Sequence, residues 1–285
     1  MRCVIVTGVS RGLGAALARV LLGREAVVLG VGRSSAADLQ GERYRFVQCD
    51  LADVPGIDAA LAPAFGALAG LAPRSVCLVN NAATVEPVGL VEMHDGAGIA
   101  RSLAVNLAAP VALSALFLRA FADKAVERRI VNVSSGAARS AIAGESLYCA
   151  AKAGLEMLTK VLAAEVRDAT FRAVSLRPGV IDTDMQTVMR SQDERTLPGV
   201  AMFRDFKASG RLATPEDAAL RIADRIVLGT VRHGATYAWP DLEGPLPEER
   251  WRSHGAGPYF PASAVASSAG VRTIASAPAS SSCEP

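Results

Sequence analysis

The sequence predicts an α/β fold built on one doubly wound, seven-stranded parallel sheet, and three observations carry that prediction. Short β-branched runs recur at Cys3 to Val6, Ala26 to Val31, Arg43 to Gln48, Ser75 to Val79, Arg129 to Val133, Arg172 to Leu176 and Ala235 to Trp239. Helix-length amphipathic stretches separate them, which is the alternation of a parallel α/β sheet. Nearly every run is apolar along its length, as strands covered by helices on both faces must be. The right-handed crossover rule then leaves a doubly wound layout, whose ligands bind beyond the carboxyl ends of the strands.

The first run leads into Thr7, Gly8, Val9, Ser10, Arg11, Gly12, Leu13 and Gly14, followed by a stretch rich in Ala and Leu. A glycine-rich turn that opens a helix directly after a strand presents backbone N–H groups to a phosphate. Gly8 permits the tight turn, Gly12 admits a ligand's close approach, and Gly14 lets the helix pack on the strand. The frame is that of a Rossmann-like dinucleotide site. At the end of the second run, an NAD site places an Asp or Glu on the ribose 2′-hydroxyl. Here the residues are Gly32, Arg33, Ser34 and Ser35. The guanidinium of Arg33 and the Ser34 hydroxyl, with Arg11 as a second cation, suit a 2′-phosphate, so NADPH is expected over NADH.

The fifth run ends near Ser135, and thirteen residues on Tyr148 and Lys152 stand four apart on one helical face. A phenol is a poor acid-base group at neutral pH, and the ammonium of Lys152 is expected to draw its pKa down. Ser135 is placed to hold a carbonyl oxygen beside the phenol. After the sixth run, Met185 to Leu212 carries Met185, Met189, Leu197, Val200, Met202 and Phe203 among charges and is expected to form a substrate lid. Thr214 before Pro215, Glu216 and Asp217 reads as a helix N-cap, with the helix running to about Leu228. Residues 1–243 are expected to form the single domain. Residues 244–285, poor in large apolar side chains and biased to Ala, Ser and Pro, are expected to form a disordered tail.

The chain has 285 residues, 51% of them hydrophobic, enough for one such domain. Its 30 basic and 28 acidic residues leave a formal charge of only +2, which gives no general attraction to nucleic acid or anionic lipid and points to a small-molecule partner. The longest apolar stretches, such as Ala26 to Val31, are strand-length, so no membrane span is expected. The N-terminus enters the first strand at once, as part of the fold and not a cleaved signal, and a cytosolic address is expected. Five scattered cysteines (Cys3, Cys49, Cys77, Cys149 and Cys283), without a C-x-x-C pair, argue against a disulfide framework and a zinc site. Four of them are expected to be small core residues, and no bound metal is expected.

Taken in order, the glycine turn, Asn80-Asn81-Ala82-Ala83, Asn106, Asn132-Val133-Ser134-Ser135, Tyr148-Cys149-Ala150-Ala151-Lys152 and Pro178-Gly179-Val180-Ile181-Asp182-Thr183 resemble the short-chain dehydrogenase/reductase family over about residues 3 to 240. The resemblance implies an NADP(H)-dependent oxidoreductase in which Tyr148 is the general acid and Lys152 a pKa modulator and nicotinamide-ribose ligand. It also implies Ser135 as carbonyl anchor and Asn106 as holder of a proton-relay water. For the cofactor it implies Asp50 and Leu51 at the adenine, Asn80 on the adenosine side, and the loop of Pro178, Gly179, Val180, Ile181 and Thr183 at the nicotinamide carboxamide and phosphates. Ala83 departs from the family's Asn-Asn-Ala-Gly and adds a methyl near the ribose.

The loops from Asn80 to Pro87 and from Pro178 to Gln186 are similar to those of the sepiapterin reductase and benzil reductase branch. That likeness implies NADPH-dependent reduction of one carbonyl of a vicinal dicarbonyl. A 3-oxoacyl-thioester reductase shares every motif, and a non-catalytic NADP(H)-binding sensor keeps the fold alone, though a sensor has no need of the proton chain. The family also implies a homodimer or homotetramer.

Overall fold

The computed structural model describes residues 1–123 and 125–243. The expected tail, 244–285, and Cys283 lie outside the described residues. The sheet has seven parallel strands, β1 (Arg2–Thr7), β2 (Val27–Gly32), β3 (Tyr44–Gln48), β4 (Ser75–Asn80), β5 (Glu127–Val133), β6 (Phe171–Arg177) and β7 (Thr236–Ala238). Their order is β3-β2-β1-β4-β5-β6-β7, so the winding reverses between β1 and β4 and opens a crevice at the strands' carboxyl ends. This is the doubly wound parallel sheet expected from the strand pattern, with ends displaced by one or two residues.

Alternation along each strand explains the apolar runs. On β1, Val4 and Val6 face one core cluster while Cys3 and Ile5 face another, and all four are buried. The first cluster lies under α1 (Gly12–Gly23), together with buried residues of α8 (Pro215–Ile222). The second is covered by α2 (Ile57–Gly70) and α4 (Ala109–Ala120). Thr214 caps α8 by accepting from Asp217 N at 3.1 Å, as its sequence predicts, but the helix changes to a π turn over Ala223–Val227 before it ends. The remaining helices are α3 (Gly96–Leu103), α5 (Ser146–Glu165), α6 (Asp184–Arg190), α7 (Val200–Ala208) and α9 (Trp239–Glu243).

Two expectations are corrected. The helical run Gly96–Ala120, with a mean hydropathy of 1.7 over an 18-residue window, is by length and composition able to cross a membrane. Its apolar character has a local cause, since Leu113, Leu116 and Phe117 pack into the second core cluster and Phe117 stacks at 5.1 Å on Phe121. Of the cysteines, Cys3, Cys49 and Cys77 are buried, but Cys149 is only half-buried, because it follows Tyr148 onto the side of α5 that faces a loop.

The turn after β1 is the tightest point of the fold. Gly8 and Gly12 adopt φ of +75° and +57°, the left-handed region that glycine enters at little cost. At Gly14 space is the constraint, because a Cβ there would lie 2.1 Å from the Gly8 carbonyl oxygen and 2.5 Å from Asn81 Nδ2. Gly14→Ala is therefore expected to lower stability by about 1–3 kcal/mol, the usual cost of overpacking. Gly23→Ala, which meets nothing within 4 Å, is expected to be neutral or stabilising. Denaturant unfolding of both variants is the check, and a Gly14→Ala midpoint equal to wild type would refute the packing argument.

Candidate active site

At the reversal point, β1 and β4 are tied together before the glycine turn begins. Thr7 Oγ1 accepts from the backbone N of Asn81 and of Ala82, both at 2.9 Å, and Asn81 Nδ2 donates to Thr7 O at 2.8 Å. Gly8 N donates to Val31 O at 2.8 Å, joining the turn to β2 as well. The residue entering α1, Arg11, offers no capping side chain, and the first turn holds no acid. Asp95 caps α3 and Thr214 caps α8, while α2, α4, α5, α6 and α7 share with α1 the lack of a capping side chain. An uncapped helix N-terminus behind a glycine turn fits a pyrophosphate.

The cationic residues at this edge are accessible. Arg33 and Ser34 are exposed, and the charge of Arg33, with that of Arg101, helps hold the Asp50 carboxyl low, although the backbone N–H of Ala52 is the larger cause. Arg11 pairs with Asp184 at 3.1 Å, both side chains being largely exposed. Such a surface pair is worth about 0–1 kcal/mol and yields easily to a stronger anion. Leu51 is buried in the core beside Asp50. Ser10 is exposed and Leu13 is buried under α1. The Pro178–Thr183 loop closes on the same turn, since a Cβ on Gly12 would lie 3.2 Å from Thr183 Cγ2. Within it Pro178 and Ile181 are buried, Val180 is half-buried, and Gly179 turns at φ +76° against Trp239.

Asn80, expected on the adenosine side of a cofactor, is the last residue of β4. Its side chain is buried and donates from Nδ2 to Asn132 Oδ1 at 2.8 Å, inside the sheet. Its Oδ1 is buried without a hydrogen-bond partner. Asn106 is also fully buried, in a π turn over Ala104–Ala108, and its amide clamps Thr84, accepting from Thr84 N at 2.9 Å and donating to Thr84 O at 2.7 Å. The side chain is spent on that clamp. The π turn itself disturbs the helical hydrogen bonding at Asn106, a deviation common at functional sites.

Helix α5 brings Tyr148 and Lys152 to Ser135. Ser135 follows β5 by two residues, and its hydroxyl accepts from Ala137 N at 3.2 Å. Tyr148 is nearly buried, with its ring among Val85, Ala137, Met189 and Phe203 and Ala83 packed alongside. Burial pushes its phenol well above the ordinary range, the charge of Glu145 pushes the same way, and the Ser135 hydroxyl pulls it down. Lys152 is 2% exposed and donates from Nζ to Val133 O at 2.8 Å, with Nζ 5.4 Å from the Tyr148 ring centroid. Burial draws its pKa down to about 8. The phenol is thus raised where the sequence predicts a lowering, with burial the largest cause.

The segment read as a lid folds as α6 and α7. Met189, Leu197, Val200 and Phe203 are buried in the cluster that holds Tyr148, Met185 Sδ lies 3.9 Å from the phenol oxygen, and Met202 is exposed. Among the described residues, no group of three or more His, Cys, Asp or Glu is placed to hold a metal ion.

Residues 2–194 match the family described as short chain dehydrogenase. The chain belongs to that family. Its members are oxidoreductases that bind nicotinamide cofactors. Benzil reductase ((S)-benzoin forming) of Bacillus cereus is 32% identical over 230 residues, spanning 78% of this chain and 92% of its own. Sepiapterin reductase of Xenopus tropicalis is 30% identical over 247 residues, with 81% and 93% covered. Among solved structures, the KRED1-Pglu enzyme aligns with a TM-score of 0.72 at 29% identity, covering 83% of this chain and 100% of that one. A short chain dehydrogenase/reductase of Saccharomyces cerevisiae aligns at 0.73 and 27%, covering 85% and 98%.

Sequence reasoning missed Glu145. It occupies the N-cap position of α5, one turn before Tyr148, and is 6% exposed. Burial raises its carboxyl from 4.5 to about 7. Below pH 4.5 that group is neutral whether the chain is folded or unfolded. From there to pH 7 the unfolded chain releases a proton that the native state keeps, so stability falls as pH rises, and above 7 the full penalty persists. The positive end of α5 offsets part of this cost. Glu145→Gln is expected to match wild type in denaturant stability at pH 4.5 and to exceed it by about 2 kcal/mol at pH 8. A gain that is equal at both pH values would show that the carboxyl is not held neutral by burial.

Proposed function

We propose that the protein is an NADPH-dependent carbonyl reductase whose substrate is a ketone, best of all one carbonyl of a vicinal dicarbonyl. The observation that carries this reading is the convergence of Tyr148, Ser135 and Lys152 on one edge of an apolar cluster built by α6 and α7. The names of the benzil and sepiapterin reductases support the dicarbonyl class, and the absence of an acid after β2, where Arg33 and Ser34 stand exposed, supports the 2′-phosphate.

In this reading Gly8, Ser10, Arg11, Gly12, Leu13 and Gly14 hold the pyrophosphate, Arg33 and Ser34 the 2′-phosphate, and Asp50, Leu51 and Asn80 the adenosine. Tyr148 and Lys152 hold the nicotinamide ribose, and the loop from Pro178 to Ile181 with Thr183 holds the carboxamide. When bound, NADPH supplies the hydride that reduces the carbonyl carbon and becomes NADP+. Tyr148, kept protonated by burial, gives its proton to the carbonyl oxygen. Ser135 donates a hydrogen bond to the same oxygen as negative charge builds on it. The product is the alcohol. The phenolate left behind is stabilised by the Lys152 ammonium and regains a proton from solvent by way of Lys152, with Asn106 holding a relay water at its π turn.

Residues 1–243 form the catalytic domain in this reading, with a small-molecule carbonyl as partner and a cytoplasmic address. The exposed Val111 of α4, with Met157 and Val161 one turn apart on α5, supports a homodimer or homotetramer.

Steady-state assays with NADPH and a panel of vicinal diketones and 3-oxoacyl thioesters test the proposal. Turnover of diketones is expected, and turnover confined to thioesters would reassign the substrate. Tyr148→Phe is expected to cut kcat at least about 100-fold while leaving NADPH affinity, read by fluorescence, within about threefold. An active Tyr148→Phe variant would remove the phenol from the chemistry. A charge-assisted contact to the 2′-phosphate contributes about 1.5–3 kcal/mol, so kcat/KM is expected to favour NADPH over NADH at least about tenfold, with the preference eroded in Arg33→Asp. Equal kcat/KM for the two cofactors would refute that part.

A further inference from the structure

Where the strands begin, at the edge of the sheet opposite the proposed chemistry, a cavity of about 430 Å³ opens among the first residues of β1, β4, β5 and β6 and the segment from Val227 to Val231. Its volume lies within the range of small-molecule sites, and its lining holds five arginines, Arg2, Arg74, Arg128, Arg129 and Arg172, against one acid, Glu127.

The parallel register explains why these charges meet. Arg2 is level with Ser75, and Ser75 with Glu127. Val4 is level with Cys77, Cys77 with Arg129, and Arg129 with Arg172. Side chains alternate between faces every residue, so Arg2, Arg129 and Arg172 emerge on the face where Val4 and Cys77 enter the first core cluster. Arg129 and Arg172 are direct cross-strand neighbours of like charge, an arrangement that by itself destabilises a sheet.

Their present partners neutralise nothing. Arg129 donates to the carbonyls of Ile226 and Val227, and Arg172 to those of Ala169 and Phe171. Among the described residues, Arg2, Arg74, Arg129 and Arg172 have no carboxylate at ion-pair distance, and only Arg128 is paired, with Asp168 at 2.8 Å. The Arg128 Nε is buried without a hydrogen-bond partner.

We infer that this cavity is a binding site for a small, multiply charged phosphate ester, held by Arg2, Arg74, Arg129 and Arg172. Guanidinium forks match the oxygen geometry of phosphate. Two like-charged neighbours in register call for a ligand with at least two negative charges, and the volume exceeds what a single phosphate fills. Burial, and secondarily the charge of Arg172, hold Arg129 below the ordinary range of an arginine, with Cys77, Glu127 and Tyr237 acting in the opposite sense, and a bound dianion would restore it. The site is separate from Arg11 and Arg33, which lie beyond the other ends of the strands.

Calorimetric titration of the full-length protein with inorganic pyrophosphate at constant ionic strength tests the inference, with orthophosphate and citrate as comparison probes. One equivalent of pyrophosphate is expected to bind saturably, at least tenfold tighter than orthophosphate or citrate. Losing one charge-assisted contact is expected to raise Kd about tenfold or more in Arg74→Ala and in Arg172→Gln, while Arg33→Ala binds as wild type. Arg74 is exposed, so its variant keeps the test decisive if Arg172→Gln fails to fold. Absence of saturable binding, or a loss confined to Arg33→Ala, overturns the site. Equal affinity for orthophosphate overturns the ester, and equal affinity for citrate overturns the phosphate class.

Discussion

The geometry of the site depends on how α5 is fastened to the sheet. Tyr148, Lys152, Glu156 and Thr159 form a polar stripe at helical spacing on the face of α5 that meets β5 and β6. Lys152 donates to Val133 O at 2.8 Å, Glu156 accepts from Ser134 Oγ at 2.9 Å and takes both prongs of Arg177 at 2.6 Å, and Thr159 accepts from Asn132 Nδ2 at 2.9 Å. Asn132 in turn accepts from Asn80, which extends the chain of bonds to β4. Apolar packing alone tolerates small slides of a helix along a sheet, whereas a buried polar group that loses its partner costs about 1–3 kcal/mol. Three such anchors within about 10 Å of helix fix where Tyr148 stands relative to Ser135.

The parallel sheet then gives each strand two chemically different ends. At the carboxyl ends the chain leaves through glycines and helix N-termini, which offer N–H groups and space. At the amino ends the chain arrives through Arg2, Arg74, Arg128 and Arg172, and the same register that aligns Thr7 with the β4 loop aligns Arg129 with Arg172. One constraint, the register, therefore positions both the glycine cradle and the arginine cavity. The family fold accounts for the first. The second belongs to this chain's own side chains, because nothing in a doubly wound sheet requires arginine at those positions.

Much of this was legible in the sequence where spacing and residue type carry the information together. The seven strands declared themselves because strands covered on both faces are apolar throughout, and Tyr148 and Lys152 because four residues of helix return to one face. The glycine turn was legible for the same reason, since Gly14 leaves no room for a Cβ. What escaped notice depends on three-dimensional company. The bonds that hold Asn80 to Asn132 and Asn106 to Thr84 join residues 52 and 22 apart in the chain, which no local spacing displays. Glu145 lies in a loop-like stretch where a carboxylate usually meets solvent, and only the fold buries it. The long apolar helix from Gly96 to Ala120 was overlooked because Ser102 and Asn106 break its apolar runs without breaking the helix.

The electrostatics of the phenol show how far local spacing can mislead about sign. An ammonium one turn away lowers a tyrosine pKa when the cation faces the oxygen and both are partly hydrated. Here Lys152 is bonded to a backbone carbonyl and lies over the ring, Glu145 adds negative charge nearby, and both Tyr148 and Lys152 are buried. Burial disfavours the charged form of each, so the phenol keeps its proton while the lysine gives its own up more readily, at about 8. The two shifts move the pair apart in proton affinity, the phenol upward and the ammonium downward. A phenol that holds its proton through neutral pH is in the form a general acid requires, but its raised pKa makes it a weaker donor, so a phenolate formed there depends on the groups around it.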